Sequence, residues 1–125
     1  MKKKHYIAIP VMTFLGMLLA MTACSPSTFG QLSDRGKYIF SDYCRCHSAG
    51  GAGAPTLGAT RLRQNFQNAE QVYNKIRATM PYDLPGALAA SEYQQVLGYI
   101  LLQNSYVNAE DTFNVNALSQ ITFGE

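Results

Sequence analysis

The chain has no internal repeats and no low-complexity tracts. It also lacks a phosphate loop, a Ser/His/Asp set and any pair of carboxylates at catalytic spacing. These absences set aside repeat architectures and the common hydrolytic and phosphoryl-transfer enzymes. Charge is sparse as well: 10 Lys/Arg stand against 8 Asp/Glu in 125 residues, and three of the cations are Lys2, Lys3 and Lys4. No clustered basic face is left to engage nucleic acid. Cysteine and histidine are few, at three and two, and beyond residue 23 the chain holds one histidine, His47, and one methionine, Met80. Whatever chemistry the protein performs must draw on very few side chains.

What is present begins with a leader. The three lysines precede an apolar run over residues 7–20, interrupted by Pro10, Thr13 and Gly16, the charged start and apolar core of an export signal. Residues 7–23 fall short of the ~20 apolar residues a spanning helix needs, so a membrane anchor is the lesser reading. The run ends in Leu19-Ala20-Met21-Thr22-Ala23-Cys24, which resembles a bacterial lipobox, with Cys24 as the lipid acceptor. Cleavage before Cys24 would take 23 residues from 125 and leave 102, with seven Lys/Arg facing eight Asp/Glu, a net −1. That length suits one small domain with a thin core. The expected location is therefore exported and lipid-anchored to the bacterial membrane, facing the periplasm. Ser25 after the lipid cysteine leans toward the outer membrane.

Export leaves Cys44 and Cys46 in an oxidising compartment, where paired cysteines usually form disulfides. Two cysteines separated by one residue close a very small, strained ring, so a structural disulfide is a poor use for them. Around them the pattern is helical. Ser33 is a good N-cap, with Asp34 in the first turn; Gly36, Phe40 and Tyr43 or Cys44 then share a stripe that runs into the cysteine motif. A second helix is predicted over 69–79, capped by Asn68 with Gln71 and ended by Pro81, which biases Met80 out of helical geometry. A third covers 89–102, where Tyr93, Val96, Leu97, Ile100 and Leu101 form an amphipathic stripe. Residues 48–58 and 82–86 read as loops. The fold class is all-α: a signal over 1–23, a lipidated tether over 24–31, a domain over 32–103 and a C-terminal extension over 104–125. That extension has no period, only scattered Tyr106, Phe113, Leu118, Ile121 and Phe123; the sequence assigns it no conformation, and both packing around the domain and docking to a partner stay open.

Cys44-Arg45-Cys46-His47, together with Met80-Pro81, resembles the haem site of a class I, mono-haem c-type cytochrome with one residue missing between the cysteines. The resemblance extends over residues 32–102. Gly36, Phe40 and Cys44 keep that family's spacing up to the first haem cysteine. The stretch 53–57, with Pro55 and Leu57, matches the loop after the motif, and Tyr99-Ile100 matches the end of the last helix. Ala89 departs from the Ser or Thr that normally caps that helix. The resemblance implies a small domain of three main helices around one haem c. Cys44 and Cys46 would be the covalent positions, and His47 and Met80 the axial ligands of the iron. The Pro55 carbonyl would meet the other histidine nitrogen, with Leu57, Phe40 and Tyr99 around the pocket. Exclusion agrees, since His47 and Met80 are the only residues of their kinds in the mature chain. Tyr38, Phe40, Tyr93, Val96, Leu97 and Ile100 are core residues first, and pocket walls because the core of such a domain is largely haem.

The shortened motif is the anomaly. On an α-helix, residues two apart diverge by about 200°, so both cysteines cannot face one haem edge without unwinding the turn. Cys46 keeps its place beside His47, which favours a thioether there; Cys44 then either reaches a second vinyl from a distorted turn or stays a free thiol. The implied function is a membrane-tethered electron carrier, or the electron-transfer subunit of a larger complex, and not an enzyme. Its partners would be redox proteins: a dehydrogenase, an oxidase or another cytochrome. Lys75 and Arg77 near Met80 would suit an acidic partner, and Arg45 is solvated or meets a propionate. Two alternatives stand beside it. One is a copper- or zinc-binding or thiol-redox module using Cys44, Cys46 and His47, with Met80 as a soft fourth ligand. The other is an interaction lipoprotein without a cofactor.

Overall fold

The structure, a computed structural model, describes residues 25–48 and 54–124. The expected export signal, the lipid acceptor Cys24 and Gly53 of the loop lie outside the described residues. In chain order there are α1 (Phe29–Tyr43), a 3-10 turn (Arg45–His47), α2 (Ala59–Asn65), α3 (Ala69–Thr79), α4 (Ala90–Gln103) and a second 3-10 segment (Val115–Gln120). Extended pairing among the described residues is limited to two isolated bridges, Thr28 with Thr112 and Asn68 with Thr122. The class is all-α.

Local signals account for the helix ends. Asn68 accepts the Gln71 backbone N–H at 3.1 Å, so α3 starts where its cap predicts. The Gln71 side chain, however, accepts from the Gln67 N–H at 2.9 Å instead of from the cap residue. Before Pro81, Met80 is extended (φ −124°, ψ 150°), as the residue preceding proline should be. At α4 alanine offers no side-chain acceptor, and the cap is one-sided: Glu92 accepts the Ala89 N–H at 2.7 Å.

Three sequence expectations need correction. α1 does not begin at Ser33, which is buried inside the helix. It begins at Thr28, through a reciprocal box in which Gln31 N–H donates to Thr28 Oγ1 (3.3 Å) and Thr28 N–H to Gln31 Oε1 (3.1 Å). Phe29, assigned to the tether, is 3% exposed and belongs to the core, because its ring packs edge-on against Phe113 at 5.4 Å. Tyr38, expected in the core, is 65% exposed. It lies two residues from both Gly36 and Phe40 and so faces away from their stripe, where Lys37 Nζ stands 5.0 Å from its ring.

The organising contact is the crossing of α1 and α4. A Cβ on Gly36 would lie 1.9 Å from the Gln95 carbonyl oxygen, and one on Gly98 would lie 2.7 Å from Leu32 Cβ. Each helix therefore presents a glycine where the other's backbone or Cβ approaches. Leu97, Leu101, Leu62 and Leu118 are fully buried around this crossing and below α3, each contributing roughly 1.5–3 kcal/mol of apolar burial.

The segment after α4 is integral to the domain. Phe29 and Gly30 donate their N–H groups to the Asp111 and Ala109 carbonyls, both at 2.9 Å, and Phe113 N–H donates to the Ser27 carbonyl at 2.9 Å. The first two bonds satisfy helix-start donors that would otherwise be orphaned. Further on, Ala69 N–H meets the Ile121 carbonyl (2.9 Å), Phe123 N–H meets the Gln67 carbonyl (3.0 Å), and Leu118 and Phe123 fill the core. The tail straps the start of α1 to the start of α3.

Candidate functional site

At its C-terminal end α1 gives way to a tighter turn. Cys44 N–H closes the last α-helical bond on the Phe40 carbonyl (2.8 Å). His47 N–H then donates to the Cys44 carbonyl (2.9 Å) and Ser48 N–H to the Arg45 carbonyl (3.0 Å), the i→i+3 pattern of a 3-10 helix. At three residues per turn, positions 44 and 47 eclipse, whereas position 46 is rotated away from both. Cys44 and His47 accordingly line a common cavity, and Cys46, half-buried, is not among its walls.

That cavity has a volume of about 380 Å³, inside the roughly 300–1,000 Å³ range of cofactor and small-molecule clefts. Its chemistry-bearing walls are Cys44, His47 and Met80; apolar side chains such as Leu62, Val72, Ile76 and Val96 make up most of the rest. Arg61, Asn65 and Lys75 add the polar edge. Phe40, Pro55 and Leu57 also line the cavity. Tyr99 does not. It stacks at a tilt on Phe40, centroids 5.2 Å apart, and borders a smaller recess behind His47.

His47 is 9% exposed, and its Nδ1 lies 2.8 Å from the Pro55 carbonyl oxygen. A carbonyl only accepts, so Nδ1 is the donor in this contact, and the tautomer that matches it leaves the Nε2 lone pair for another partner. The loop that supplies Pro55 is held in turn by the chain beyond α4. Asn104 Nδ2 donates to the Leu57 carbonyl (2.9 Å), and Tyr106 Oη donates to the Ala59 carbonyl (3.2 Å).

Across the cavity, Met80 is fixed through its backbone. The buried Tyr93 hydroxyl donates to the Met80 carbonyl at 2.7 Å, and Gly86 N–H reaches the same oxygen at 3.4 Å. Tyr93 was legible as core from the α4 stripe. Its second task follows from the rule that a buried tyrosine hydroxyl finds a partner. Arg61 had no sequence signal, since α2 buries only Leu62 and shows no stripe. Arg77, expected beside Met80, instead places its guanidinium 5.3 Å from the Tyr73 ring. Burial pushes the Cys44 thiol up from 9.0 to about 11, with repulsion from Cys46 as a secondary cause; at neutral pH it is protonated.

Among the described residues, no three His, Cys, Asp or Glu side chains gather as a metal-holding group, and no helix is long and apolar enough to cross a membrane. Comparison with protein-family models, with curated proteins and with solved structures found no match.

Proposed function

We propose that the cavity between α1, α3 and α4 holds one haem c, and that the protein is a one-electron carrier or electron-transfer subunit. One observation carries this reading. A buried histidine with its Nδ1 engaged by a backbone carbonyl shares one apolar cavity with the mature chain's single methionine and with a thiol. Haem fits that donor set: an imidazole nitrogen and a thioether for the iron, aliphatic walls for the macrocycle, and a thiol for a vinyl edge. Arg61, Asn65 and Lys75 at the cavity edge supply hydrogen-bond donors for propionates.

When bound, haem with His/Met ligation exchanges single electrons with no coordination position open to a substrate. The chain's own residues do the rest. Pro55 selects the histidine tautomer, Tyr93 holds the Met80 loop, and the leucine and valine walls exclude water, which favours a raised potential. The proposed partners are other redox proteins. Export and a lipid on Cys24 would confine these partners to the periplasmic face of a membrane, the outer one by the Ser25 pattern.

The test is to mature the full chain in a host with cytochrome c assembly machinery and record its haem spectrum and potential, with Met80→Ala in parallel. Ligation predicts loss of the sulfur-to-iron band and a lower potential in the variant. An unchanged spectrum would remove Met80 from the iron, and absence of bound haem both after maturation and after incubation of the reduced protein with ferrous haem would end this reading.

A further inference from the structure

Resting on that haem reading, we infer that the shortened motif forms a single thioether, and that it forms at Cys44, the cysteine farther from His47 in sequence. The sequence pattern favours Cys46 because it adjoins the ligand histidine. The backbone favours the other residue. In the 3-10 turn, His47 N–H bonds the Cys44 carbonyl at 2.9 Å, and a rise of one full turn separates the two residues. Their side chains therefore leave the backbone on the same side. Cys44 is 7% exposed and lines the cavity together with His47 and Met80. Cys46, rotated by two thirds of a turn from Cys44, is half-buried and outside the lining.

A tight turn also explains how one residue can be missing. In Cys-X-X-Cys-His the first cysteine stands four residues before the histidine, close to one α-helical turn; here Cys44 stands three before His47, one 3-10 turn, so the two still face one edge. What the deletion removes is the spacing of three that would set the second cysteine on the same side as the first. Attachment is an addition: the Cys44 Sγ–H adds across one vinyl C=C, an S–C bond forms, the thiol proton ends on the other vinyl carbon, and the π bond is consumed. No electrons are gained or lost, so no oxidant is required. Cys46 keeps its thiol.

The two sites are separable by mass, because trypsin cuts after Arg45 and puts Cys44 and Cys46 on different peptides. The full chain, matured with cytochrome c assembly machinery, is denatured, alkylated, digested and mapped. Expected are haem on the 38–45 peptide and an alkyl group on Cys46. Cys46→Ala should retain its haem through acid-acetone extraction, with an unchanged pyridine haemochrome band at the position of one thioether. Cys44→Ala should release it. Haem on the Cys46 peptide, or on both peptides, overturns the inference. Should the host leave the wild type without haem, the reduced protein is incubated anaerobically with ferrous haem. Haem that binds by either route yet extracts completely overturns this inference while leaving the electron-carrier reading standing. No binding by either route ends both.

Discussion

Tyr93→Phe removes one oxygen atom and leaves the ring, so it asks what the hydroxyl alone contributes. In the wild type that hydroxyl, on a residue only 4% exposed, donates to the Met80 carbonyl at 2.7 Å. Among the described residues the other donor to that oxygen is Gly86 N–H at 3.4 Å, a weak bond. The variant thus loses a short bond and leaves a part-buried acceptor nearly orphaned, at a cost of about 1–2 kcal/mol. For a domain of about 100 residues this should lower Tm by roughly 5–10 °C. Thermal unfolding of the haem-free protein measures that number. The haem-loaded protein adds a readout that packing alone would not move: a loosened Met80 loop should weaken the sulfur-to-iron band and lower the potential while the histidine side is unchanged. A Tm within about 2 °C of wild type would refute the energetic argument. A lowered Tm with an intact band would leave Tyr93 as a core residue without any role toward Met80.

Other perturbations follow from the same contacts. Gly36→Ala should destabilise by about 3 kcal/mol or more, since the new Cβ meets the Gln95 carbonyl oxygen at 1.9 Å and only backbone movement relieves it. Gly98→Ala, at 2.7 Å from a side-chain carbon, should cost less, and denaturant midpoints would rank the two. Phe123→Ala should cost about 3 kcal/mol, because its ring is buried and stacks on Tyr106 at 4.6 Å; a neutral result in chemical unfolding would mean the tail is not part of the core. Stability of the haem-free protein should also depend on pH. The Cys44 thiol holds its proton to about 11 when folded but to 9.0 when unfolded, so its contribution is complete below pH 9 and is lost as pH rises from 9 toward 11. The loss is on the order of 2 kcal/mol. Cys44→Ala should flatten that part of the profile.

Elements written in local signals were legible from the sequence. α3 is bounded by Asn68 on one side and Pro81 on the other, and α4 by an unbroken stripe whose five residues are all buried. α1 was half legible: its stripe through Gly36 and Phe40 was visible, though not whether Tyr43 or Cys44 continued it, and Ser33 is a more conspicuous cap than Thr28, with Pro26 and Gly30 obscuring the Thr28–Gln31 box. α2 has seven residues and one buried side chain, too few to display a period. The tail has no pattern because backbone bonds to residues 27–30 and 67–69 fix it, and such bonds leave no trace in side-chain chemistry. At the site, Cys44, His47, Pro55 and Met80 are together in the structure, whereas Cys46 stands apart. The α-helical period predicts that the two cysteines diverge. Which of them turns inward depended on a change to the 3-10 period over three residues, and nothing in Cys44-Arg45-Cys46-His47 announces that change.

The hydrogen bond from Phe113 to the Ser27 carbonyl would have a mechanical meaning if Cys24 carried the proposed lipid. It fastens the chain to the domain body at residue 27, so a lipid on Cys24 would leave only Ser25 and Pro26 as leash. Three virtual bonds, from Cys24 to Ser27, span at most about 10 Å, less than the radius of gyration of about 13 Å typical of a domain this size. Such a protein would roll against the bilayer without ranging away from it. A redox partner would have to bring its own centre down to the membrane surface, and any lengthening of the leash would widen the set of partners within reach.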